Sequence, residues 1–155
     1  LERWAPSRTS LKREVRRLCE EMETYGGPVQ PWGVLGLRVC LPVSYRLRSW
    51  KLLSGYIELT FQAGLTSSVW ASRWSFAQEI LRGHSLVAWA QGVTGCSEVQ
   101  EEKGEAVLLK GNSFWLRLLG REATALVRYD KEHNQIHLLK AFHKPCDKPD
   151  WSWIL

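Results

Sequence analysis

Between residues 106 and 142 apolar and polar side chains alternate as they do in half-buried strands. Ala-Val-Leu-Leu-Lys from Ala106, Phe-Trp-Leu-Arg-Leu-Leu from Phe114, and the long run from Ala123 to Phe142 are expected to be β-strands joined by turns. The last hairpin can be registered residue by residue. With residues 131–134 as its loop, Asp130 faces Gln135, Tyr129 faces Ile136, Val127 faces Leu138 and Ala125 faces Lys140. Side chains alternate across a strand, so one face carries Ala125, Val127, Tyr129, Ile136 and Leu138. The other carries Arg128 against His137 and Leu126 against Leu139. This predicts an antiparallel sheet with one clearly apolar side.

Upstream the period is that of a helix. Ser10 can cap a helix whose apolar positions Leu11, Val15, Leu18, Cys19 and Met22 recur at threes and fours. Gly26, Gly27 and Pro28 stop it. Basic residues lead and acidic ones follow, against the helix dipole, so packing must hold it.

From Trp32 the period changes to two. Residues 34–43 read as one strand or two short ones, with Gly33 and Gly36 allowing a bend. Residues 45–53 and 56–61 follow, the latter alternating Ile57, Leu59 and Phe61 against Glu58 and Thr60. After a turn at 64–68 come a strand near Val69 and Trp70, a short helix at 75–81 ended by Gly83, a strand at 86–90 and a polar loop at 92–103. The stretch from Trp50 to Gly55 echoes that from Trp115 to Gly120, which suggests two similar halves.

The expected fold is therefore α+β: an N-terminal helix packed on a largely antiparallel sheet, or partly closed barrel, of about seven to nine strands. Residues 1–9 form an arm, 10–143 a single domain, and 144–155 a Pro- and Trp-rich tail.

A chain of 155 residues can bury a core without staples. Its 45% apolar and 24% charged content is globular and argues against extensive disorder. Nine Trp are many, and Trp suits half-wet interfaces as well as cores. The net charge of +5 admits nucleic acid or an acidic partner. Cys19, Cys40, Cys96 and Cys146 form no CxxC and read as reduced thiols of an intracellular protein, in the cytoplasm or nucleus. No apolar run reaches the length of a membrane span. The first residue is Leu, which suggests a piece of a longer polypeptide.

Catalytic motifs are missing from the sequence. It holds no G-x-S-x-G, no G-x-G-x-x-G and no Walker-type loop, and Cys146 near His143 lacks a Gly-rich elbow to stabilise an oxyanion. The expectation is a non-enzyme without cofactors. His133, His137, His143 and Cys146 have spacings that could suit zinc, but His137 and His143 lie about 20 Å apart on an extended strand. His143 and Cys146 remain weak metal candidates.

Basic residues interleaved with aromatics are more informative. Tyr45, Arg46, Arg48, Trp50 and Lys51, with Trp151 and Trp153 of the tail, have the Trp, Tyr and Arg chemistry of protein-binding hot spots. On a regular strand Arg46, Arg48 and Trp50 point the same way. The alternative is a nucleic-acid face built from Arg8, Lys12, Arg13, Arg16 and Arg17 at the helix start with Arg46 and Arg48. The plainer possibility is a solvated strand with Trp50 folded over a neighbour. The aromatic content also suits a small ligand-binding β-barrel. In composition alone the chain resembles viral accessory proteins that capture host factors. The expected function is a non-enzymatic protein–protein interaction domain of a larger intracellular protein, its oligomeric state open.

Overall fold

The computed structural model describes residues 29–65, 67–111 and 114–144, with 114 and 115 by backbone alone. The helix expected from Ser10, the arm, most of the tail, and with them Arg8, Lys12, Arg13, Arg16, Arg17, Cys146, Trp151 and Trp153 lie outside the described residues. The described chain divides between Ser44 and Tyr45 into two compact units.

The first unit is a hairpin of β1 (Val29–Val34) and β2 (Leu37–Pro42). Val29 lies opposite Pro42 and Val34 opposite Leu37, so of the one strand or two short ones expected over 34–43 there are two, and the first begins earlier, at Val29. The connecting Leu35 and Gly36 both have positive φ, 44° and 86°, which matches the twist that two-residue hairpin loops require. Leu37, Val39 and Leu41 alternate and are buried.

The second unit is built on seven strands: β3 (Arg46–Leu53), β4 (Tyr56–Ala63), β5 (Ser67–Ser75), β6 (Glu98–Lys103), β7 (Ala106–Gly111), β8 (Glu122–Asp130) and β9 (Gln135–His143). Their order across the sheet is β3-β4-β5-β9-β8-β7-β6, and every neighbouring pair is antiparallel. The sheet is open, with β3 and β6 as its edges, so it is not the closed barrel that a ligand-holding cavity needs. The β8–β9 register is as the alternation requires: Asp130 opposite Gln135, Tyr129 opposite Ile136, Val127 opposite Leu138 and Ala125 opposite Lys140. Asn134 closes the loop at φ 52°, a conformation its short polar side chain tolerates.

Among the described residues three helices join the strands: α1 (Ala77–Ile80), α2 (Leu86–Thr94) and α3 (Phe114–Leu118). Ala77 and Ala90 bring α1 and α2 into one buried cluster with Cys96, Val107, Leu109, Ala123, Ala125, Val127, Ile136 and Leu138. Among the described residues no helix is long and apolar enough to cross a membrane.

Several expectations are corrected here. The strand expected at 86–90 is the first half of α2. Ser85 caps it by accepting from the Ala88 N–H at 3.1 Å, and Gly95 ends it at φ 67°. The loop expected over 92–103 contains the end of that helix and the edge strand β6. The run from Phe114 is helical because β7 and β8 already pair with each other from Gly111 opposite Ala123, leaving no neighbour for a strand between them. Gly120 at φ 61° stops that helix. The echo of Trp50 in Trp115 fails with it, since one stretch is strand and the other helix. Nor does the sheet have a single apolar side. Ile57, Leu59, Phe61, Val69, Ala71, Leu139 and Ala141 are buried on the face opposite Ala125 and Val127.

Candidate functional site

The edge strand β3 carries most of the residues singled out in the sequence. Its first pairs, Arg46 with Gln62 and Leu47 with Phe61, are followed directly by Ser49 with Thr60, so Arg48 is an extra residue in a β-bulge. That one residue resets the alternation. Arg46, Ser49 and Lys51 share the face of Gln62, Thr60 and Glu58, while Trp50 shares the opposite face with Leu59. Arg46, Arg48 and Trp50 therefore do not point the same way, and the bulge is the reason. The Arg48 guanidinium turns back to donate to Gln62 Oε1 at 2.7 Å. Lys51 Nζ lies 3.8 Å from Glu58. Tyr45, just ahead of the strand, is half-buried.

On the Trp50 side the strand is bare. Trp50 is 64% exposed and Leu52 48% exposed; Leu53 at the turn, also 64% exposed, lies on the other face opposite Tyr56. An exposed edge with apolar side chains is normally blunted by charge or a bulge, and β3 has both. The far edge, β6, is also exposed along its length but carries Glu98, Glu101 and Glu102. The two edges thus differ in sign.

On the cationic face of the sheet β4 and β5 continue with polar and aromatic groups. The Tyr56 hydroxyl donates to Glu58, and its ring packs on Trp74 at 4.3 Å between centroids. Trp74 meets Trp89 of α2 edge-on at 5.5 Å and donates its N–H to Ser72 Oγ at 3.2 Å. Burial pushes the Tyr56 phenol well above its ordinary value, and the adjoining Glu58 raises it further, so this hydroxyl stays a donor. The indole N–H of Trp70 is buried close by without closing a hydrogen bond. Tyr56, Glu58, Trp74 and Ser72 are held by one another, and Trp70 alone of this group leaves its N–H without a partner among the described residues. They read as support for the face.

The remaining candidates fall elsewhere. His143 is buried near the end of β9. Its Nδ1 lies 2.8 Å from the Lys144 carbonyl and its Nε2 3.1 Å from Thr124 Oγ1. A carbonyl only accepts, so Nδ1 donates to it, and Nε2 is engaged with the threonine hydroxyl. His133 caps its own turn with Asp130 at 2.8 Å. His137 sits in mid-strand between Arg73 and Arg128, and burial pushes its pKa down. Among the described residues no group of three or more His, Cys, Asp or Glu is placed to hold a metal ion. Cys40 and Cys96 are buried.

One residue of interest had no signal in the sequence. Phe76 follows β5 in the left-handed region, at φ 63° and ψ 42°, and is 62% exposed. Bulky residues rarely adopt that conformation. Its ring lies over Gly55 of the β3–β4 turn, where a Cβ would meet it at 3.2 Å. Compared with models of protein families and with curated proteins, the chain matched none significantly.

Proposed function

We propose that this is a non-enzymatic protein-interaction domain of a larger intracellular protein, and that a partner polypeptide docks along β3 as an added strand. The observation that carries this is the bulge at Arg48. It divides an exposed edge strand into a cationic side, Arg46 and Lys51, and an apolar side, Trp50 and Leu52. A nucleotide clamped on one face needs its stacking ring and its phosphate-binding cations on that same face, and here they part. A strand lying in the plane of the sheet projects side chains to both faces in turn and so meets both sets. Outward N–H and C=O groups of the edge supply the main-chain hydrogen bonds.

A photo-crosslinking residue in place of Leu52 tests this, with the same residue in place of Val99 on β6 as the control. Capture of a protein at position 52 that survives nuclease, and that Arg48→Ala with Trp50→Ala abolishes while circular dichroism is unchanged, is the expected result. Equal capture at both edges, or capture indifferent to the double substitution, would refute the assignment. A complex that disappears with nuclease and weakens steeply with salt would return the cations to nucleic-acid binding.

A further inference from the structure

Resting on that reading, we infer that the strand received by β3 is acidic on one side and apolar on the other, and that the docking surface continues over the β3–β4 turn to Phe76. The acidic side follows from charge. Among the described residues Arg46 makes no ion pair and Arg48 donates to the neutral Gln62, while Lys51 reaches Glu58 at 3.8 Å with its own side chain 64% exposed. Positive charge along this edge is thus left over, and a strand beside it places its side chains about 5 Å away, directly opposite or on the diagonal. The apolar side follows from Trp50 and Leu52, which alternate with the cations and stand in water.

A second copy of this chain pairing edge to edge through the same strand is opposed by the same charges. β3 against β3 sets Arg and Lys against Arg and Lys, and like charges placed opposite are unfavourable. A foreign acidic segment meets no such repulsion.

Phe76 extends this surface for a separate reason. A phenylalanine held left-handed and exposed gives up backbone ease and apolar burial together. It stands over Gly55, two residues beyond the exposed Leu53, so apolar surface is exposed at this end of β3 and on around the turn. A segment running along β3 and past Leu53 covers it.

The experiment uses the full chain and three fluorescent probes: an alternating Glu–Val decapeptide, an alternating Lys–Val decapeptide, and a single-stranded oligo-dT of similar length. Anisotropy should show the Glu–Val peptide bound at least about tenfold more tightly than the Lys–Val peptide, with Arg46→Glu and Arg48→Glu together reversing the order. Phe76→Gly should raise the melting temperature, because glycine relieves the left-handed strain, and should weaken the Glu–Val peptide several-fold. Equal affinity for the two peptides, preference for oligo-dT, or no binding of any probe overturns the acidic-strand assignment. A lower melting temperature in Phe76→Gly overturns the role of Phe76 by making it a packing residue. Crosslinking at position 52 is independent of these probes. Protein capture there with no preference for the Glu–Val peptide removes this inference alone, whereas absence of capture removes the docking strand itself.

Discussion

Trp50 stands directly opposite Leu59 on the neighbouring strand, and the two occupy opposite environments: Leu59 is 5% exposed and Trp50 64%. The row they begin continues through Ala71 and Leu139, both buried. Apolar burial thus runs up to the edge strand and stops there, leaving the largest side chain of the row in water.

This difference predicts opposite costs. Trp50→Ala should change unfolding stability by no more than about 1 kcal/mol, the scale of a cross-strand pair. Leu59→Ala should cost about 2–5 kcal/mol, as buried leucines do. Denaturant titration of both variants decides it, and a large loss for Trp50→Ala would make Trp50 a core residue instead of a docking one.

Tyr56 and Glu58 lie on the same face of β4 and act as one unit, the phenol donating to a carboxylate whose side chain is only 15% exposed. Tyr56→Phe leaves that carboxylate without its donor and should cost about 1–3 kcal/mol. With Glu58→Leu in the same chain the penalty should shrink, because no buried acceptor is left behind. A double-mutant cycle by thermal unfolding that shows additive losses would mean the bond contributes nothing.

The β8–β9 hairpin was legible residue by residue because Val127, Tyr129, Ile136 and Leu138 recur at every second position on either side of a short polar loop at 131–134, which sets one register. The edges of the sheet were less so. The charged Glu98–Lys103 strand pairs with β7 through its backbone, which no side-chain pattern announces. α2 was hidden because Leu86-Val87-Ala88-Trp89-Ala90 is apolar throughout and suits either period. Ser85 before it and Gly95 after it were the usable signals. For the candidate site, the residues of β3 could be named but not their directions. One bulge at Arg48 turns Trp50 away from the cations, and a bulge leaves no mark in composition. Phe76 was out of reach altogether, since its left-handed φ contradicts its residue type.

Gly111 closes the β7–β8 ladder opposite Ala123, and here the requirement is space. A Cβ on Gly111 would lie 2.9 Å from the Ala123 Cβ and 3.4 Å from Cys96 Sγ. Both neighbours are buried, and the Cβ of Ala123 is fixed to the backbone. Gly111→Ala should therefore cost about 1–3 kcal/mol through overpacking. Combining it with Ala123→Gly should destabilise less than the two single losses summed, which denaturant unfolding can measure.

His137 should make the stability of the second unit depend on pH. It lies between Arg73 on β5 and Arg128 on β8, within reach of Asp130 and His133. Burial lowers its pKa first. The two guanidiniums and His133 lower it further, and Asp130 opposes them. As pH falls below the ordinary histidine value of 6.5, the unfolded chain takes up a proton before the folded one does. Stability should therefore be full above that value and decline beneath it, until the depressed folded value is reached. Asp130 acts in a separate and more acidic window. Its carboxyl is held below its ordinary 3.8 chiefly by the backbone N–H of His133, so its contribution is present above that value and lost only in stronger acid. His137→Gln should flatten the loss of stability just below pH 6.5 and leave the more acidic limb in place. Thermal unfolding at a series of pH values separates the two, and an unchanged upper limb in His137→Gln would assign it to another group.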